Sequence, residues 1–551
     1  MKFSHQISTI VKISLFTVLL TFANSIIAAE PEQDRQSQNT VASQTRGRIG
    51  RDIQGVYKTR ITPHWFAENT RFWYRNDLSG DTSEFILVNA EKGTRQKAFD
   101  HEKLAEALSK ATDEKYTAEK LPFNYIEFID NNDAVIFNVN EKTWKCDLST
   151  YEVAPSEKTL TPPEESHRSR FGRRGQGGQR RGRGRFFGSE ERPLVSPDEK
   201  WNAYIKDNNV FIREGEEGEE IQLSKDGEEN NTYTRLEWAP DSKSLIAWRL
   251  EPGDHKLVYL IQSSPPGGGR AVMQSRPYDL PGDKLDAFEL NIFDVENRKQ
   301  IKPELERVDL DSPQPHWNND GYHVMYEKVD RGHQRLRVIE VNTKDGSWRN
   351  LIDEKTDTFI WTAHTENLAL SLVNYLDKTD EIIYVSEMDG WRHIYLIDIN
   401  QGKISNQITR GQWVVRGIDL IDEDARQIWF SAGGKNADQD PYFLHYYRIN
   451  FDGTGLVELT EGDGNHSVQY SPDRKYIIDT YSRVDMAPVN ELRRTSDGSL
   501  VCELEKTDIS ELLDKGWEPP EVFVAKGRSS RAGEQTRHLC FPGHVRRQLR
   551  R

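Results

Sequence analysis

The sequence predicts an all-β chain, an eight-bladed β-propeller of four-stranded antiparallel blades with few short helices. Three observations carry that prediction. A turn phrase recurs eight times along the chain, helix-forming stretches are scarce, and aromatics make up 10% of residues, with 13 Trp against 5 Met. That balance suits half-buried strands better than Leu- and Ala-rich helices.

The phrase first reads TPHWFAENTRFWYRND around Trp65. It returns as VSPDEKWNAYIKDNNVFIRE at Pro197, LEWAPDSKSLIAWRLEPGD at Pro240, PQPHWNNDGYHVMYEKVD at Trp317 and VQYSPDRKYIIDTYSRVD at Pro472. Fainter copies are FIDNNDAVIFNVNEKTW at Asn131, NYLDKTDEIIYVSEMDGWRHIYLIDI at Asp380 and IDLIDEDARQIWFSAGG at Asp424. In each, a short aromatic or β-branched strand meets Pro-Asp, Asn-Asp or Asp-Glu, and a second alternating strand follows. Repeats at this period cannot bury both faces alone and stack as blades, whereas the strands of a β-sandwich would not repeat one phrase.

Two helices are expected. Phe99–Ala111 has Asp100 as N-cap, and DISELLDKGW has Asp508 as cap, Glu511 three residues on and Gly516 as stop. Residues 1–29 pair Lys2 and Lys12 with an apolar core from Ile13 to Phe22 and end in Ala28-Ala29. They read as a secretory signal cleaved after Ala29, so the mature chain is expected in a periplasm or outside the cell, without a membrane span. Residues 30–58 read as a linker and 59–505 as the propeller.

The formal charge is −15 and the mean hydropathy −0.78. Yet Ser166 to Gly188 carries eight arginines and no acid, a composition that buries no core and reads as a disordered insertion. Phe171, Phe186 and Phe187 would supply stacking groups for nucleic acid. Export and an otherwise acidic chain argue against that partner and leave anionic polysaccharide or a membrane surface. Cys146, Cys502 and Cys540 form no disulfide framework and no zinc spacing, and no cofactor or metal is expected.

Several stretches resemble the N-terminal domain of dipeptidyl peptidase IV and its relatives in the prolyl oligopeptidase family. They are DGWRHIYLIDINQGKISNQITRGQWVVRGIDLID (Asp389–Asp422), YSPDRKYIIDTYSRVDMAPVNELRRTSDGSLVCELE (Tyr470–Glu505), WAPDSKSLIAWRLEPGD and PYDLPGDKLDAFELNIFDVENRK. The likeness runs from about Thr59 to Arg528. It implies a propeller that caps an α/β-hydrolase domain bearing a Ser–Asp–His triad, in which a carboxylate-oriented base activates the serine. The chain contains no Gly-x-Ser-x-Gly elbow; Gly346-Ser347 and Gly498-Ser499 read as hairpin tips. No catalytic residue is assigned.

Residues 506–528 resemble the linker into that hydrolase. From Arg528 onward seven arginines face one acid, Glu534. Residues 529–551 are therefore expected to be disordered or translated out of frame, and the catalytic domain to be missing.

Relatives hold the substrate's free amino terminus with paired glutamates, since two carboxylates share one ammonium well. Glu228-Glu229 is the corresponding candidate, although it lacks an aromatic lead-in and Asp226-Gly227 beside it reads as a hairpin tip. Glu216-Glu217 and Glu219-Glu220 read as solvated turn charges. Trp391-Arg392-His393 is read two ways: Arg392 or His393 facing the substrate cleft, or a blade strand with Trp391 packed between sheets and Arg392 in a structural ion pair.

The function expected is the substrate-gating propeller of an exported serine-type dipeptidyl or oligopeptidase, inactive without its hydrolase. Its partners would be a peptide substrate and that domain, and a homodimer is compatible. The alternative is a stand-alone propeller used for binding or scaffolding. A hydrolase with a different site in the channel lacks a credible nucleophile–base pair.

Overall fold

The computed structural model describes residues 55–162, 193–362, 370–526 and 535–540, with 522–526 and 535–540 as backbone only. Ala29 and the Arg/Gly-rich segment lie outside the described residues. Gly55 and Val56 belong to an N-terminal unit ending at Val56; Tyr57–Arg551 is one compact unit.

In that larger unit the described strands form eight four-stranded antiparallel sheets in chain order, seven built from consecutive strands and the fourth interrupted by an inserted pair. They span residues 64–97, 126–155, 194–222, 232–301, 316–355, 373–407, 414–458 and 465–506. Every copy of the turn phrase joins the first strand of a sheet to the second. The aspartate acts alike in three copies: Asp198, Asp241 and Asp473 accept the backbone N–H two residues on, at 3.2, 2.9 and 3.2 Å.

The core is made between sheets. Leu245 and Ala247 pack with Ala203 and Ile212 of the third sheet, while Ile246 and Trp248 pack with Val324 and Tyr326 of the fifth. A strand between two sheets buries both faces, so its two alternating sets are both apolar. Further apolar clusters join the first and second, fifth and sixth, sixth and seventh, and seventh and eighth sheets. Phe72, Tyr74 and Ile86 pack against Ile478, Leu492 and Leu504, so the eighth sheet meets the first and the series closes as a propeller.

Among the described residues neither sheet lends a strand to the other at that closure. Polar side chains converge on Glu505 instead: Tyr74 Oη and Asn76 Nδ2 donate at 2.9 and 2.6 Å, Arg95 pairs with it, and Lys58 Nζ lies at 3.6 Å.

The first helix is His101–Thr112, with Asp100 accepting from the backbone N–H of Glu102 and Lys103. The second, Ser510–Asp514, differs from expectation: Ile509 is the N-cap and no side chain caps it. Asp508 closes a turn on the Ser510 N–H at 2.9 Å, and Glu511 accepts from Tyr57 Oη at 3.0 Å instead of completing a capping box.

Two pairings were not foreseen. A two-stranded ribbon, Leu257–Gln262 with Val272–Pro277, stands between the second and third strands of the fourth sheet. Within the stretch expected to be disordered, Gln535–Cys540 pairs antiparallel with Glu521–Lys526. A ladder needs only backbone N–H and C=O groups, which a segment without apolar alternation still supplies.

Candidate functional site

The candidates from the sequence are placed in different surroundings. Glu228 and Glu229 are exposed on a tight turn, closed by hydrogen bonds between Glu228 and Asn231 backbone at 2.9 and 3.2 Å. The adjacent Asp226 is no bare tip. It accepts from Tyr233 Oη at 2.9 Å, Arg249 Nη1 at 2.8 Å and Lys302 Nζ at 2.5 Å. Burial opposes ionisation there, but the hydrogen bonds from Lys302, Tyr233 and Gln300 outweigh it and lower the carboxyl's pKa.

Arg392 is 8% exposed and pairs with Glu387 at 2.6 Å, its guanidinium 6.0 Å from the Trp361 ring centroid. His393 is fully buried, with Nδ1 3.0 Å from Thr409 Oγ1 and Nε2 2.9 Å from the Gly411 carbonyl. Trp391 is 41% exposed rather than packed between sheets; Trp413 occupies that interior place, edge-on to His393 at 4.8 Å.

A denser constellation lies beside Arg392, at the seam of the fifth and sixth sheets. Glu354, on Trp348–Lys355, accepts from the Tyr384 hydroxyl and from Ser386 Oγ at 2.7 Å. Ser386 precedes Glu387, the partner of Arg392, so the two groups share one strand end. Glu327, on His323–Val329, keeps solvent access. Even so, the surrounding protein and then the charge of Asp311 push its carboxyl up to about 7.

The phenols answer these acids. Burial first, then Glu354 and Glu327, raise the Tyr384 pKa. Tyr375 is raised by burial and by Glu327, and its hydroxyl has no hydrogen-bond partner among the described residues. His316 stacks on Tyr375 at 4.1 Å, and burial lowers its pKa, keeping it neutral. On the fourth sheet nearby, Glu237 accepts from Trp317 Nε1 at 2.7 Å, and burial raises its pKa. Two carboxylates, two phenols and a neutral imidazole can accept and orient a cationic donor. At this seam the Tyr384 and Ser386 hydroxyls both donate to the one carboxylate of Glu354. Cys146 is buried, and burial pushes its thiol up to about 12, leaving it inert. No group of His, Cys, Asp and Glu suited to a metal ion occurs among the described residues.

Glu327, Glu354 and Asp226 were missed in the sequence. Each lies in an ordinary strand or turn, and sequence spacing gives no sign of a neighbour in the next sheet. The unpaired carboxylate in the strand MYEKV was the one available signal.

Residues 188–488, more than half the chain and running from the third sheet into the eighth, match the family model described as the dipeptidyl peptidase IV (DPP IV) N-terminal region. The probable dipeptidyl-aminopeptidase B of Tuber melanosporum is 23% identical over 351 residues, 55% of this chain and 38% of that protein. Dipeptidyl peptidase 4 of Trichophyton rubrum is 23% identical over 184 residues, 33% of this chain and 23% of its own. The chain thus spans well under half the length of these relatives. Among solved structures, Porphyromonas gingivalis dipeptidyl peptidase 4 aligns over 86% of this chain and 63% of its own, at 17% identity and a TM-score of 0.42. By the family match over residues 188–488, this chain belongs to the proteins that carry the dipeptidyl peptidase IV N-terminal region.

Proposed function

We propose that this chain is the propeller, substrate-gating portion of an exported serine-type dipeptidyl or oligopeptidase, which acts together with an α/β-hydrolase domain that supplies the nucleophile. The match of residues 188–488 to the dipeptidyl peptidase IV N-terminal region carries this reading. The absence of a Gly-x-Ser-x-Gly elbow from the 551 residues supports assigning the chemistry elsewhere. The charge and apolar pattern of residues 1–29 supports export.

The seam of Glu327 and Glu354 is the part of this reading that touches substrate, receiving the cationic end of a peptide. The exposed ribbon of the fourth sheet supports a second copy of the chain as partner. It presents Tyr259, Ile261 and Met273 at 66, 76 and 71% exposure. A stand-alone binding module is the second reading. It is favoured by the closure at Glu505, which completes the series of sheets from the chain's own side chains.

The purified chain is expected not to hydrolyse Xaa-Pro chromogenic dipeptides, but to bind a fluorescent peptide with a free amino terminus better than its acetylated form. The Glu327→Gln/Glu354→Gln double variant should lose that preference. Turnover that survives purification would overturn the division of labour; equal binding of both peptides would overturn the seam assignment.

A further inference from the structure

Against a formal charge of −15, one cavity of the described chain is strongly basic. It measures about 470 Å³ and lies between the seventh and eighth sheets, lined by Trp429, Arg448, Arg474, Lys475, Tyr476 and Arg494. The four cations come from three separate places: the strand Leu444–Asn450, the turn before Tyr476–Arg483, and the end of Met486–Arg494.

Two of the four cations have an acid beside them, and two, Arg448 and Arg474, have none among the described residues. Lys475 pairs with Asp473 at 3.3 Å, and Asp497 lies within the field of Arg494. Among the described residues Arg448 Nη2 donates to the Ser496 carbonyl at 2.9 Å, and Arg494 Nη2 to the Glu91 carbonyl at 3.4 Å. Arg448 Nε is buried without a hydrogen-bond partner, and the Arg474 guanidinium has neither an ion pair nor a hydrogen bond among the described residues. Two guanidinium groups without a counter-charge line the cavity, and the buried N–H of Arg448 is left unmade at a cost, so an anion between them stabilises the arrangement.

Trp429 and Tyr476, 7 and 8% exposed, form the wall of this cavity, with the Arg448 guanidinium 5.8 Å from the Trp429 ring centroid. That sets the guanidinium of Arg448 beside the aromatic wall. Several guanidinium forks converging from different directions suit a tetrahedral oxyanion better than a single planar carboxylate. We propose that this cavity binds the phosphoryl or sulfuryl group of a small ligand. It is separate from the seam of the fifth and sixth sheets and does not depend on the peptidase reading.

The test uses the full chain with inorganic phosphate and sulfate, each compared with chloride at matched ionic strength, by calorimetric titration and thermal unfolding. Saturable binding with a rise in unfolding temperature is expected. The Arg474→Ala/Lys475→Ala variant should bind at least tenfold more weakly while unfolding at the same temperature without ligand. Lys115→Ala, which removes an exposed charge elsewhere, should bind as the wild type does. Vesicles of phosphatidylglycerol in phosphatidylcholine separate the sources. Capture by the wild type and not by the double variant assigns the phosphate to a lipid head; phosphate binding without capture assigns it to a soluble ligand. Phosphate and sulfate acting no differently from chloride, or the double variant binding as tightly as the wild type, would overturn the proposal.

Discussion

The Tyr74 hydroxyl donates to Glu505 at 2.9 Å across 431 residues of sequence, tying the first sheet to the eighth. Asn76, Arg95 and Lys58 converge on the same carboxylate, which is 5% exposed. Replacing it with alanine leaves buried donors and a guanidinium without their acceptor, a change that costs about 3 kcal/mol. Urea unfolding of Glu505→Ala is expected to show that loss, with a smaller loss for Glu505→Gln, which keeps a carbonyl acceptor for Tyr74. An alanine variant as stable as the wild type would mean that the apolar cluster of Phe72 and Ile478 closes the series unaided.

Glu327 gives the seam a pH signature. Its folded carboxyl titrates near 7, above the ordinary value of 4.5. The folded state therefore holds a proton that the unfolded state has released, and stability declines as pH rises through that interval. Thermal unfolding between pH 4.5 and 7 should show the decline in the wild type and a flatter profile in Glu327→Gln. Identical profiles would show that Glu327 is solvated like a surface acid.

His445 acts in the opposite sense. It is 3% exposed, and burial, followed by the nearby His466, lowers its pKa from 6.5 to about 4. Its ring nitrogens lie 2.6 Å from Gln439 Oε1 and 3.4 Å from Thr460 Oγ1. The unfolded state takes up a proton below pH 6.5 that the folded state refuses. Stability is thus complete above 6.5 and lost on the way down to about 4, by up to about 3 kcal/mol. His445→Gln keeps polar contacts without titrating, and its unfolding should depend less on pH below 6.5. An unchanged acid profile would place the lability elsewhere.

The reading of the sequence reached the sheets because turn chemistry is local: Asp198, Asp241 and Asp473 close their turns with amides two residues away. It could not reach the seams. Glu354 meets Ser386 32 residues on, in the next sheet, and Tyr74 meets Glu505 only once the series has closed. His393 and Arg392 were conspicuous as a polar cluster, yet both are satisfied within the sixth and seventh sheets, as an interior position requires. The exposed turn of Glu228 and Glu229 looked acidic in sequence, while the acid with convergent partners was Asp226, two residues earlier.

The ribbon of the fourth sheet supports the last prediction. Leu257–Gln262 and Val272–Pro277 pair only with each other, and Tyr259, Ile261 and Met273 stand in solvent with more than half of each side chain exposed. Exposed side chains of this size contribute little to the folded chain, but their burial against a second copy would remove apolar area at about 25 cal/mol per Å². The triple variant Tyr259→Ser/Ile261→Ser/Met273→Ser should keep the wild-type unfolding midpoint at low concentration and lose self-association. Sedimentation equilibrium over a hundredfold range of concentration distinguishes the cases. A wild-type chain that stays monomeric throughout, or a variant that dimerises equally well, would remove the ribbon as the contact between copies.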